Sequence, residues 1–144
     1  MRLDVNLALK ALKRDHLTLA ISRGGSILYT SRNRGVQDLY CLVKHRPEVL
    51  MGASAADKVV GKAAAMLYAE SGIRELYADN LSRVAESVLR QAGIKVQYRN
   101  MIPFVMNRDR SGMCPIEKLA TSVDTLEELM AGLNHFYKDM EICG

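Results

Sequence analysis

The stretch Ile73 to Asn100, IRELYADNLSRVAESVLRQAGIKVQYRN, constrains the fold more than any other. "IRELYA" reads as a strand. "NLSRVAESVLRQAG" sets Leu81, Val84, Ala85, Val88, Leu89 and Ala92 on one helical stripe and closes at Gly93. "IKVQYRN" reads as a second strand. A strand–helix–strand unit joins two parallel strands by a right-handed crossover, so the chain is predicted to be α/β.

The flanking segments extend this pattern. "MRLDVNLALKALKRDH" spaces Val5, Leu9 and Leu12 as an amphipathic helix. In "HLTLAISRGGSILYTS", Leu17, Leu19 and Ile21 alternate with smaller residues, and Gly24-Gly25 supplies a hairpin turn. "GVQDLYCLVKHRPE" carries Val36, Leu39, Tyr40 and Val43 on one helical face and stops before Pro47. "EVLMGAS" reads as a short buried strand. "ASAADKVVGKAAAMLYAESG" reads as a buried helix, with Ser54 as N-cap, Asp57 three residues on in a capping-box variant, and Gly72 at its end. "MCPIEKLAT" is a short helix with Pro115 first, and "DTLEELMAGLNHFYKDM" a last helix capped by Asp124. The order α-β-β-α-β-α-β-α-β-α-α predicts a three-layer α/β/α fold on a mixed sheet, one domain over residues 1–144.

Composition narrows the function classes. At 49% hydrophobic and 25% charged, the chain is an ordinary globular protein with an aliphatic core, since aromatics make up only 6%. A net charge of +4, dispersed along the chain, does not point to nucleic acid, and aromatic stacking platforms are scarce. Cys41, Cys114 and Cys143 form no C-x-x-C, which argues against a disulfide scaffold and for a reducing compartment. No apolar run approaches the roughly 20 residues of a membrane span, and the N-terminus is no signal peptide. A cytoplasmic location is expected.

Two segments concentrate the candidate chemistry. Read as a helix, the first places Asp57, Gly61 and Ala64 on one face that is nearly bare above the carboxylate, leaving room for a ligand. Lys58 and Lys62 lie one step round the helix, where they would meet a phosphate or simply snorkel into solvent. The structural alternative for Asp57 is a helix cap. The second segment, "NRDRSGMCPIEKL", puts Cys114 at a helix N-terminus that favours a thiolate, with Glu117 in the same first turn. Arg108, Arg110, Gly112 and the amides around Met113 would suit an anion. The alternative there is a buried small side chain and a capping carboxylate. None of His16, His45 or His135 is placed by sequence as a base, and no metal-ligand spacing or phosphate-loop motif occurs. His135 and Tyr137 read as packing residues on the last helix.

Together, "ASAADKVVGKAAA" and "GMCPIEKL" on this order of elements resemble a small uncharacterised prokaryotic family, the domain of unknown function numbered 1893, with a cytidine-deaminase-like fold. The resemblance covers nearly the whole chain and implies a hairpin followed by strand–helix units. Zinc-dependent deaminases need His-x-Glu or Cys-x-Glu at one helix start and P-C-x-x-C at the next. Here those positions are read as Ala55-Ala56-Asp57 and Ala78–Ser82, so the zinc ligands are lost and an acid remains.

The leading expectation is therefore metal-independent binding of a nucleotide or ADP-ribose-like ligand in a deaminase-type pocket. Ser54, Asp57, Lys58, Gly61, Lys62, Gly112 and Met113 would bind it, and Asp57 would contact a ribose or accept a covalent glycosyl bond. A second expectation is an enzyme with Cys114 as nucleophile and Glu117 or Asp57 as base. A third is a non-catalytic scaffold or regulatory module, with Gly61 and Ala65 allowing close helix approach in a homo-oligomer.

Overall fold

The middle strand of the sheet, β3 (Ser54–Val60), runs between β1 (Leu19–Arg23), antiparallel to it, and β4 (Glu75–Ser82), parallel to it. The computed structural model describes residues 2–107, 109–138 and 142–143. Strand β2 (Ser26–Ser31) pairs antiparallel with β1, and β5 (Lys95–Ile102) pairs parallel with β4. The sheet is thus mixed and five-stranded, ordered β2-β1-β3-β4-β5, in an α/β fold. Gly24 and Gly25 turn the β1–β2 hairpin at φ +62° and +83°, a region side chains disfavour.

Helices cover both faces. Helix α1 (Arg2–Arg14) packs Ala8, Ala11 and Leu12 against Ala20 and Ala56 on one side. The opposite side carries α2 (Gln37–His45), α3 (Lys62–Ala69), α4 (Arg83–Gln91), α5 (Pro115–Thr121) and α6 (Leu126–Tyr137). Their Leu39, Leu67, Leu89 and Leu133 meet Ile21, Ala55 and Leu76 of the sheet. Each fully buried leucine stabilises the fold by about 2 kcal/mol. Ala55 and Ala56, adjacent in sequence, face opposite cores, the period of two that defines a strand.

The predicted element order and the β4–α4–β5 unit agree with the structure, but several boundaries move. Ser54 to Val60 is a strand, not the first turns of a helix, so Ser54 is no N-cap and Asp57 no capping-box acid. Alanine's helix propensity is overridden here by burial between two helical layers, where small side chains let both layers approach. The helix starts only after Gly61, and it ends at Ala69, before Gly72. The strand expected over Glu48–Ser54 is instead a 3-10 turn, Pro47–Val49, and a bend through Gly52. Asn80 and Leu81 belong to β4, with Ser82 capping α4 through the Ala85 amide. Thr125, not Asp124, caps α6, in a capping box with Glu128.

The cysteine expectation also changes. Cys41 and Cys143 form a disulfide with Cα atoms 5.5 Å apart, and Cys114 is a free thiol. Sequence spacing gave no hint of the pairing, because the two positions lie 102 residues apart. Among the described residues, no helix is long and apolar enough to cross a membrane.

Candidate functional site

Helix α3 runs back over β3, and this return brings Tyr68 onto Asp57. The Tyr68 hydroxyl donates to Asp57 Oδ2 at 2.7 Å, and the Val59 amide approaches Oδ1 at 3.4 Å. The strand neighbours of Asp57 are Leu19 and Ala78, both apolar. Among the described residues no cation pairs with it. Burial pushes the Asp57 carboxyl up from 3.8 to about 7, against the opposing pull of Tyr68 and the Val59 and Lys58 amides. Burial, and then the Asp57 carboxylate, hold the Tyr68 phenol well above its ordinary range. Asp57 as a whole residue is nevertheless only partly buried. Towards the carboxyl ends of the parallel strands, Asn100 donates to Asn80 at 3.3 Å, and Asn80 to the Lys58 carbonyl at 3.3 Å.

The start of α3 is occupied by Glu117. This buried side chain reaches across from α5, with Oε2 accepting from the Lys62 amide at 3.0 Å and Oε1 from the Ala63 amide at 3.1 Å. A helix N-terminus attracts an anion, and here another helix supplies it. Gly61 makes the contact possible: a Cβ there would overlap the Glu117 carboxylate and come within 2.7 Å of Val105 Cγ2. The small residue at position 61 therefore admits a side chain from α5.

The remaining predicted residues are scattered around this contact. Ser54 is buried at the start of β3, and Lys58 is exposed on the same strand. The Lys62 ammonium donates to the Val123 carbonyl at 3.1 Å. Cys114 is the N-cap of α5, with Pro115 at the first helical position, and its amide donates to the Val105 carbonyl at 2.9 Å. The Gly112 carbonyl accepts from the Asn107 amide at 2.9 Å, and Met113 bridges to Met106. Arg110 is exposed, and Arg108 lies outside the described residues. Burial pushes the Tyr137 phenol up to about 12, against the opposing pull of a hydrogen bond with the Val36 backbone.

Gly61 and Glu117 thus join the two motif segments, whereas Asp57 faces Tyr68. A separate groove of about 300 Å³ runs along α3, lined by Lys62, Met66, Glu70, Val88, Asp124 and neighbours but not by Asp57. Tyr68 was missed in sequence because Asp57 and Tyr68, eleven residues apart on one helix, would stand about 16 Å from each other. A strand that folds back as a helix brings them together.

Helix α3 opens Gly61-Lys62-Ala63 and α4 opens Ser82-Arg83-Val84, with neither histidine nor cysteine. Among the described residues, no three His, Cys, Asp or Glu side chains gather as a metal site.

The family described as "Domain of unknown function (DUF1893)" matches residues 7–137. The chain belongs to the DUF1893 family. It is also similar to a solved DUF1893 family protein, TM1506 from Thermotoga maritima, at 28% identity and a TM-score of 0.86. That alignment covers 95% of this chain and 92% of the other. No curated protein matches. DUF1893 membership carries no activity, so the functional reading rests on the site.

Proposed function

We propose that the protein binds a nucleotide or ADP-ribose-like ligand, without a metal, near the carboxyl ends of β3 and β4, with Asp57 as its polar anchor. The observation that carries this reading is a carboxyl group on the middle strand, without a cationic partner among the described residues and held by a buried tyrosine. A buried acid titrating near neutrality is costly to keep, and such groups cluster at functional sites. Ligands of open α/β sheets bind at the carboxyl ends of parallel strands. Half-protonated at neutral pH, Asp57 both donates and accepts, which matches a ribose diol.

The pocket would be of cytidine-deaminase type in shape but not in chemistry, because Glu117 fills the start of α3. Covalent attachment would have an Asp57 carboxylate oxygen attack the anomeric carbon. A glycosyl ester forms as the bond to the leaving group breaks, and the leaving group departs with the electron pair. The alternative that pairs Cys114 with Glu117 is disfavoured, because both carboxylate oxygens of Glu117 already accept from α3 amides.

Thermal melting against AMP, ADP and ADP-ribose tests the proposal. At a hundredfold excess over Kd, one of them is expected to stabilise the wild type by about 2.7 kcal/mol. Asp57→Asn should lose the shift. A flat response to all three argues for the scaffold reading, with assembly rather than binding as the role.

A further inference from the structure

We propose that the groove along α3 is a binding site for a linear aliphatic polyamine, independent of the ligand assigned to Asp57. Its floor is apolar: Met66 of α3 is buried, and Val88 of α4 and Leu126 of α6 are partly buried against the larger core. About 300 Å³ of space stands open above them, enough for a small molecule but not for the helix of a partner protein.

The charges at its two ends select the ligand. Glu70 caps the end of α3, and Gln91, which also lines the groove, is the last residue of α4. Two helix C-termini therefore lie at this end, and both favour a cation. At the other end the Lys62 ammonium donates to the Val123 carbonyl at 3.1 Å, which places Asp124 beside the first turn of α3. Glu70 and Asp124 are exposed, and among the described residues no cation pairs with either. Lys62, the basic residue of the lining, is held by the Val123 carbonyl instead.

From Lys62 to Glu70 the helix rises about 12 Å. A ligand that meets both carboxylates must therefore carry a cation at each end of an extended apolar stem. A triamine of the spermidine kind has that length and that pattern. A four-carbon diamine is too short, and a monoamine reaches one carboxylate only. The methylenes of the triamine would lie on Met66, Val88 and Leu126, as a lysine stem lies on apolar surface, while its middle ammonium stays in water. The chain carries a net charge of +4, so the protein at large repels a polycation, and attraction is confined to a local acidic site.

Titration calorimetry of the full chain with spermidine, putrescine and butylamine tests the site. Spermidine is expected to bind at one site and more tightly than putrescine, with no measurable binding of butylamine. Glu70→Gln and Asp124→Asn should each weaken spermidine about fivefold, the scale of one exposed charge pair. Gln91→Lys sets a competing cation at the Glu70 end and should abolish binding. All three positions are exposed, so the variants fold as the wild type does. Asp57→Asn should bind spermidine unchanged, which separates this site from the nucleotide reading. Equal spermidine affinity in the wild type and Glu70→Gln would overturn the proposal, as would putrescine binding as tightly as spermidine. A wild type that binds no spermidine at millimolar concentration would overturn it too.

Discussion

Asp57→Asn is expected to be more stable than the wild type at pH 8 while losing ligand binding. The folded carboxyl titrates near 7, against 3.8 for its ordinary value. Between those values the folded chain holds a proton that the unfolded chain has released. The associated stability is therefore complete below about pH 4, is lost as pH rises through the interval, and stays lost above 7. At 1.36 kcal/mol per unit the loss reaches at most about 4 kcal/mol, reduced by the residue's partial exposure. Asparagine keeps an oxygen to accept from Tyr68 but does not titrate. The difference in stability between the two proteins, from urea unfolding at pH 5 to 8, should grow in favour of the variant as pH rises. A carboxylate that served as a helix cap would give the opposite sign. Asp57 is, on this account, a destabilising residue retained for what it binds.

The second large effect falls at the contact between α5 and α3. Glu117→Ala leaves the Lys62 and Ala63 amides without their acceptor and opens a void, at a cost of about 3 kcal/mol. Gly61→Ala is expected to cost a similar amount, because the added methyl displaces the Glu117 carboxylate. Since both changes break one contact, the double variant should lose well under the sum of the single losses. Denaturant unfolding of the four proteins measures this coupling. Additive losses would mean that Gly61 and Glu117 act separately.

The parts of the fold written in local pattern were legible. Ala85, Val88 and Leu89 repeat with helical spacing, and Gly24-Gly25 marks a turn, so α4 and the hairpin could be read directly. The middle strand could not be. In Ser54–Ala56 both faces are buried, so polar alternation is missing and the alanines read as helix. That single misreading moved Asp57 from sheet to helix and hid Tyr68. Glu117 was recognised as a capping carboxylate, but the helix it caps belongs to a segment 54 residues away, a relation no local spacing encodes. Cys41 and Cys143 were opaque for the same reason.

The most direct test is intact-mass measurement of the purified protein, native and denatured, beside Asp57→Asn. The account predicts extra mass of a nucleotide-type ligand on the wild type under native conditions and none on the variant. Loss of that mass on denaturation identifies a bound ligand, and its persistence identifies a glycosyl ester on Asp57. Equal ligand mass on both proteins, or a bare chain from the wild type after incubation with AMP, ADP and ADP-ribose, would contradict the assignment of Asp57 as the anchor.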